Sequence, residues 1–414
     1  MMAMFRRHRT LFGVVWVLIL FCIAFAYAMF QGGFVSWFVF FGFVPILVYT
    51  LIVALYPLGD IRIERVMSKH ELYADEPLEV TLKMTRRVPF PLFYLIIEDH
   101  QPHNILKKHQ NWKRENAKKL LSLGFQLGTT LTYTIEGMPR GEYVFKKLSI
   151  RTGDIFGFIQ RQKEIEIEDT VLVYPKMTPP ESWSPLDLAY GGQRRSRKSF
   201  EHDVTSIASI REYIPGDRLS WLDWKSTART NHLMTKQFEF PLNNDVILIL
   251  DCTVNSADRE GEAFERSVAL AGSLMEKALR TESSVGFVTV GKETQWLELE
   301  NQPYQKWKIL NHLARIHQES SAEVSVAINK YIQHLSHHST VIFVTTKVSK
   351  HLLLLFNDLM TRGLAIEFFL VTQNDNREGT RVLEQLHGMG VVTHHVTDDH
   401  FNRLTKGSGS LATS

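Results

Sequence analysis

The chain opens on an uninterrupted apolar stretch: from Thr10 to Gly59 there is no Asp, Glu, Lys, Arg or His. Crossing a bilayer core as helix takes about 20 apolar residues. Leu11 to Phe30 supplies one such span and Phe34 to Tyr56 a second, with Gln31-Gly32-Gly33 as the turn between them. A hairpin of this kind puts the N-terminus and the remaining chain on one side. Arg6, Arg7 and Arg9 flank the first span while the turn is uncharged, which predicts cytoplasmic ends. A cleaved leader is the competing reading, because Ala26-Tyr27-Ala28 has the small residues of a processing site. Even then the second span would return the body to the cytoplasm.

From Asp60 to Pro175 the pattern changes to short runs rich in Val, Ile, Leu, Tyr and Thr. Leu78 to Met84, Leu92 to Glu98, Thr130 to Ile135, Tyr143 to Ile150 and Thr170 to Tyr174 read as strands, several of them alternating apolar and polar residues. Many short strands without intervening helices predict a small sandwich. Pro139-Arg140-Gly141-Glu142-Tyr143 and Gly153-Asp154-Ile155-Phe156-Gly157 carry the glycines of tight turns. Gln101 to Lys119 holds a basic run that reads as a solvated loop, or as a contact to anionic lipid headgroups.

Past Asn244 strands and helices alternate, as in a doubly wound sheet. Val246 to Leu250, Val285 to Val290, Gln295 to Leu299, Val341 to Val344, Ile366 to Val371 and Val391 to Val396 are the expected strands. Gly261 to Arg280, Tyr304 to Ile316, Ala322 to Leu335 and His351 to Arg362 are the expected helices, with a further one before the last strand. The partition that follows is a transmembrane anchor over 1–58, a beta-sandwich-like domain over 59–176 and a linker over 177–243. An alpha/beta domain over 244–403 and a disordered tail over 404–414 complete it.

The linker holds the densest motif: Arg211-Glu212-Tyr213-Ile214-Pro215-Gly216-Asp217, then Asp223-Trp224-Lys225, then Ala228-Arg229-Thr230. Pro215-Gly216 predicts a turn and Asp217 the cap of a following helix. Trp221, Trp224 and Ala228 would share one face of that helix, with Arg229 in its last turn, where the helix dipole favours a cation. Packing of that face across the sheet is the plain structural reading.

This motif, with the Arg140-Gly141-Glu142-Tyr143 and Asp154-Ile155-Phe156-Gly157 turns, resembles the bacterial domain-of-unknown-function family 58. Its members share the plan of two N-terminal membrane helices, a beta-rich region, this signature and a von Willebrand factor A-like domain. Members are commonly encoded beside MoxR-type AAA+ ATPases and often beside transglutaminase-like membrane proteins. The resemblance therefore implies an adaptor working with such partners, and no known reaction. The expected architecture is multidomain: a transmembrane helical hairpin, a small beta-sandwich and an alpha/beta von Willebrand factor A-like domain.

Von Willebrand factor A domains end their first strand in Asp-x-Ser-x-Ser and hold a divalent cation there. Asp251 and Thr253 match that pattern, and Asn255 substitutes an amide oxygen for the second hydroxyl. Ser320 or Ser321 would stand for the later Thr, while Thr345-Thr346-Lys347 occupies the place of a second Asp. Mg2+ needs hard oxygen ligands, and a lysine repels it. The metal site is therefore degenerate, and the other reading has Asp251 capping the next element or bonding the Arg229-Thr230 end of the motif.

Composition narrows the rest. With 47 basic and 44 acidic side chains, a net charge of +3, nucleic acid is not an expected partner. Cys22 and Cys252 form no sensible disulfide. Asp251-Cys252-Thr253 invites comparison with aspartyl-phosphate enzymes, but their further motif residues are missing. A complete phosphate-binding Gly-x-x-x-x-Gly-Lys-Ser/Thr loop, a Ser elbow and His-Glu-x-x-His are also absent from the sequence. Histidines 334, 337, 338, 394 and 395 have no Cys beside them for zinc, and no base pairs with Cys252 in the sequence. The expectation is a membrane-anchored, non-enzymatic scaffold that docks a MoxR-type ATPase at the cytoplasmic face. The alternatives are a divalent-dependent hydrolase or phosphotransferase using Asp251, and a passive envelope protein whose sandwich binds a peptide or lipid.

Overall fold

The structure, a computed structural model, describes residues 2–397 except 103–104, 106–116, 179–182, 184–205, 216, 218, 240–244, 259–260, 282, 319–323, 325–327, 329–338 and 374–376. The chain divides into two compact units, Met1–Lys176 and Met177–Ser414.

The first unit begins with α1 (Met2–Gln31) and α2 (Phe34–Leu55). Gly32 takes a positive φ of 61° in the turn, where a side chain would be strained. Ser36 Oγ accepts from Gly33 N at 3.2 Å and donates to Gly33 O at 2.8 Å, which closes the start of α2. Both helices are long and apolar enough to cross a membrane. They meet through Phe21 and Phe25 against Phe40, ring centroids 5.2 and 5.6 Å apart, yet leave Phe12, Ile23, Phe30, Phe34 and Phe38 exposed.

Eight strands follow: β1 (Arg62–Met67), β2 (Glu71–Tyr73), β3 (Leu78–Thr85), β4 (Leu95–His100), β5 (Lys118–Leu121), β6 (Gly128–Ile135), β7 (Gly141–Gly153) and β8 (Gln160–Tyr174). They form two sheets, ordered β1-β3-β6 and β2-β8-β7-β4-β5. Apolar residues of both sheets, among them Leu78, Val80, Leu82, Phe145 and Ile150, share one core. Strict alternation along β1 and β3 puts every second side chain there.

Three sequence expectations shift. Leu92 makes only an isolated bridge to Gly124, and β4 starts at Leu95, because Pro89 and Pro91 cannot donate to a ladder. Lys118 and Lys119 lie in β5, opposite Glu98 and Ile97, instead of in a loop. β1 was hidden because one of its inward residues is charged.

That residue, Arg65, is the polar centre of the sandwich. Its guanidinium donates to Asp99 at 2.6 and 2.9 Å and to Asp169 at 2.8 Å, with the Arg65 and Asp99 side chains fully buried. Tyr133 OH donates to Asp99 Oδ2 at 2.8 Å, and burial together with the Asp99 charge raises its pKa above the usual tyrosine value. β1 and β6 of one sheet are thus joined to β4 and β8 of the other. Removing one partner of a buried pair leaves an uncompensated charge, costing about 3–5 kcal/mol. Arg65→Met should lose that much stability in urea unfolding of the detergent-solubilised chain; a loss below about 1 kcal/mol would contradict the clamp.

The second unit contains β9 (Ser206–Glu212), α3 (Trp224–Thr230) and β10 (Met234–Glu239), with β9 and β10 paired antiparallel. Then come β11 (Val246–Asp251), α4 (Glu262–Arg280), β12 (Val285–Val290), β13 (Thr294–Glu300), α5 (Pro303–Arg315), β14 (Thr340–Thr345), α6 (Lys350–Thr361), β15 (Ala365–Val371), α7 (Arg377–Met389) and β16 (Val392–Val396). The sheet order is β13-β12-β11-β14-β15-β16, parallel except for β13, which runs antiparallel to β12. Ile247, Ile249, Val341, Phe343 and Phe368 face α6 and α7 through Phe356, Leu359 and Leu386. α4 contacts β11, β12, β14 and β15, and its Glu276 pairs with Lys306 of α5 at 2.9 Å. The helix expected over Ala322 to Leu335 lies outside the described residues apart from buried Val324 and Ile328, and so does the tail over 404–414.

Candidate functional site

β11 sits at the centre of its sheet, and the order of connection reverses between β11 and β14. Open parallel sheets present their ligand crevice at such a switch point, outside the carboxyl ends of the strands. Asp251 ends β11 there and Thr345 ends β14.

Asp251 is 2% exposed, and both of its oxygens are engaged. Oδ1 accepts from Thr253 N at 2.9 Å and Oδ2 from Thr345 Oγ1 at 2.7 Å. Asn255 turns the chain again: its Oδ1 accepts from Ala257 N at 3.1 Å and its Nδ2 donates to Thr346 O at 2.8 Å. Lys347 Nζ reaches across to Val254 O at 3.1 Å. Short Asx and hydroxyl side chains bonding nearby backbone groups are what give this loop a defined shape.

Asp251 does not cap α4, whose N-cap position is Gly261; it is Asp258 whose Oδ2 accepts from Phe264 N in the first turn at 3.0 Å. Among the described residues the partners of Asp251 are Thr253 and Thr345, not the Arg229-Thr230 pair. Thr253 Oγ1 is buried and without a hydrogen-bond partner among the described residues. Ser320 and Ser321 lie outside the described residues.

The donor set at Asp251, Thr253 and Asn255 does not suit Mg2+. A hard cation requires several free oxygens, mostly anionic. Here one carboxylate has both oxygens taken by hydrogen-bond donors, the Asn255 oxygen accepts from backbone, and the Lys347 ammonium reaches the same loop. Of these oxygens, Thr253 Oγ1 is the one without a hydrogen-bond partner among the described residues.

The signature segment is built just as locally. Arg211, in β9, grips Asp217 through two parallel bonds of 2.8 Å. Asp217 also accepts from Ile214 N at 3.1 Å, and Arg211 followed by this backbone bond holds its pKa below the usual carboxylate value. Asp217 therefore closes the Ile214-Pro215 turn, and the capping role expected of it falls to Asp223, which accepts from Lys225 N at 3.1 Å. Gly216 lies outside the described residues. Tyr213 N donates to Leu233 O at 2.8 Å, Thr230 Oγ1 to Ser226 O at 2.9 Å, and Asn231 ends α3 in the left-handed region.

Among the described residues Trp221, Trp224 and Ala228 do not share a buried face. Trp221 belongs to a 3-10 turn before α3, and Trp224 is 68% exposed, with Ala228 and Arg229 also exposed. Ile214, Leu219 and Leu233 stand exposed beside them in sequence. Helical spacing signals a common face but not what covers it.

The two described histidines of the candidate set are otherwise employed. His394 Nε2 lies 2.7 Å from Glu367 Oε1, and the Glu367 carboxylate accepts Trp183 Nε1 at 2.8 Å. His395 Nε2 is 2.8 Å from Thr372 Oγ1, while histidines 334, 337 and 338 lie outside the described residues. Cys252 is buried.

The loop's shape gives a direct expectation. Thr345→Val deprives a buried charged oxygen of its donor, worth about 1.5–3 kcal/mol, so amide exchange over 252–258 should accelerate roughly tenfold to a hundredfold. Unchanged exchange in that segment would show that the bond does not hold the loop.

Comparison with known proteins agrees with the signature. The family described as "Protein of unknown function DUF58" matches residues 209–380. The uncharacterized protein YeaD of Bacillus subtilis (strain 168) is 35% identical over 301 residues, spanning 73% of this chain and 74% of that protein. Solved structures give only faint likeness. The CARDB domain of the PF1109 protein of Pyrococcus furiosus is 12% identical over 28% of this chain and 92% of that one, with a TM-score of 0.18. The sporulation control protein Spo0M of Bacillus subtilis is 10% identical over 38% and 58%, with a TM-score of 0.15. With the signature in place and YeaD matched over most of both chains, this chain belongs to the DUF58 family of proteins of unknown function.

Proposed function

We propose that this chain is a membrane-anchored, non-enzymatic scaffold whose second unit docks a partner protein, a MoxR-type AAA+ ATPase, at the cytoplasmic face. The observation that carries the reading is the use of the signature residues. Arg211, Asp217 and Asp223 hold backbone in place, while Ile214, Leu219, Trp224 and Leu233 are left exposed. A rigid segment that presents a tryptophan and aliphatic side chains to solvent suits protein recognition, where Trp is a frequent anchor.

The other elements support it. α1 and α2 keep apolar side chains uncovered by protein, as lipid-facing helices do, and the arginines before the apolar span of α1 favour cytoplasmic ends. The doubly wound sheet, with its first strand central and ending in Asp251-Cys252-Thr253, fits a von Willebrand factor A-like domain. Its closed loop around Asp251 favours docking without a metal, and a tether raises the partner's local concentration at the membrane. The unused hydroxyl of Thr253 is the one observation on the side of a divalent-dependent hydrolase or phosphotransferase at Asp251.

The full chain in lipid nanodiscs and a purified MoxR-type ATPase from the same organism should bind saturably. Trp224→Ser and Leu219→Ser should each weaken the complex by about tenfold or more, since both side chains are exposed and their loss leaves the core intact. Absence of binding in every nucleotide state, or equal binding by these variants, would contradict the docking face.

A further inference from the structure

Three loops at the end of the sandwich that joins the helices carry exposed apolar side chains: Val88 and Phe93, Phe125 and Leu127, Ile155 and Phe156. Phe93, Phe125 and Phe156 are 54, 72 and 56% exposed. The loops are welded into one rim. Buried Arg86 donates to the carbonyls of Phe90, Gly124 and Gln126 at 2.6–2.7 Å, tying the first loop to the second. Thr152 Oγ1 donates to Tyr94 O at 2.7 Å, tying the third to the first. Asp154 accepts from Ile159 N at 2.6 Å and Phe156 N at 3.1 Å, which fixes the third loop's shape. Held this way, the apolar side chains cannot fold back into the core.

Their level relative to the helices is also fixed. Arg161, whose pKa burial lowers, donates to the Ala54 and Tyr56 carbonyls at the end of α2. The first loop then climbs back along α2: the Phe93 ring meets Tyr49 edge-on at 5.2 Å, and Tyr49 OH lies 3.4 Å from Pro91 O. Tyr49 precedes Leu55 by six residues, about 9 Å of helix. On α1 the third loop passes so close that a side chain at Gly13 would collide with Phe158. Both contacts fall within the apolar spans Phe12–Gln31 and Phe34–Leu55. The rim exposes Arg87, and its acids are engaged by backbone: Asp154 is 1% exposed, and half-buried Asp60 accepts from Arg87 N and Val88 N at 2.8 Å.

We propose that this rim is a membrane-inserting surface: Phe93, Phe125, Ile155 and Phe156 enter the headgroup and upper acyl region beside α1 and α2, so the sandwich is bound to lipid as well as tethered by helices. The occupant is the bilayer because the rim is continuous with the helix surface at the depth of Tyr49 and Gly13. Amphipathic segments reside about 5–10 Å into that boundary, matching the rise from Leu55 to Tyr49. The inference rests on α1 and α2 crossing a bilayer, and the test separates the two.

Full-length protein with Cys22→Ala and Cys252→Ala is spin-labelled singly at Phe125→Cys, Phe156→Cys, Ile23→Cys or Lys146→Cys and placed in phosphatidylcholine–phosphatidylglycerol vesicles. Lys146 is exposed on β7, seven residues before Gly153, about 23 Å away along the strand. The ratio of oxygen to water-soluble nickel accessibility should be several-fold higher at 125 and 156 than at 146, and high at 23. A high ratio at 23 with water-like values at 125 and 156 overturns the rim insertion and leaves the anchor intact. A water-like ratio at 23 overturns both. Phe125→Trp and Phe156→Trp, in a chain that keeps its cysteines, give the same reading through quenching by brominated lipid: added emission that brominated lipid leaves unquenched refutes insertion.

Discussion

Asp251 ends a strand in which every residue is buried, and a carboxylate in that position must have its oxygens satisfied. The donors that do so, Thr253 N and Thr345 Oγ1, lie on the two sides of the sheet's switch point. One hydrogen-bond pair therefore both neutralises the cost of burial and ties the end of β11 to the end of β14. The shape of the loop through Asn255 and Asp258 follows from it.

Legibility in the sequence tracked how local each determinant is. The two apolar spans and the buried strands β11, β12, β14 and β15 were readable because burial on both faces leaves an unbroken apolar run. β1 was not, since Arg65 stands at an inward position and needs Asp99 and Asp169 from distant strands to be tolerated there. β8 starts well before the expected Thr170: Glu164 to Glu168 alternates Glu with Ile, the period-two pattern of a strand, and the long pairing with β7 carries it.

The candidate site divides the same way. Asp251, Thr253 and Asn255 were visible from their place after a buried strand, and so was the Arg211 to Thr230 signature as a unit. Which acid does what was not visible. Asp217 pairs with Arg211, Asp223 caps α3 and Asp258 accepts from an amide in the first turn of α4, and such assignments depend on turn geometry that composition does not encode. The exposure of Trp224 was likewise beyond reach, because helical spacing is silent about what lies opposite a face.

The proposed function turns on the chain acting by docking a partner, with Asp251 taking no part in bond making or breaking. Steady-state turnover of generic phosphomonoester, phosphodiester, ester and nucleotide substrates by the full chain in nanodiscs, with and without Mg2+ or Mn2+, tests this most directly when run beside Asp251→Asn. The expected result is the same background rate for both proteins under every condition. Turnover well above background that disappears in Asp251→Asn, while the variant keeps its fold, would contradict it.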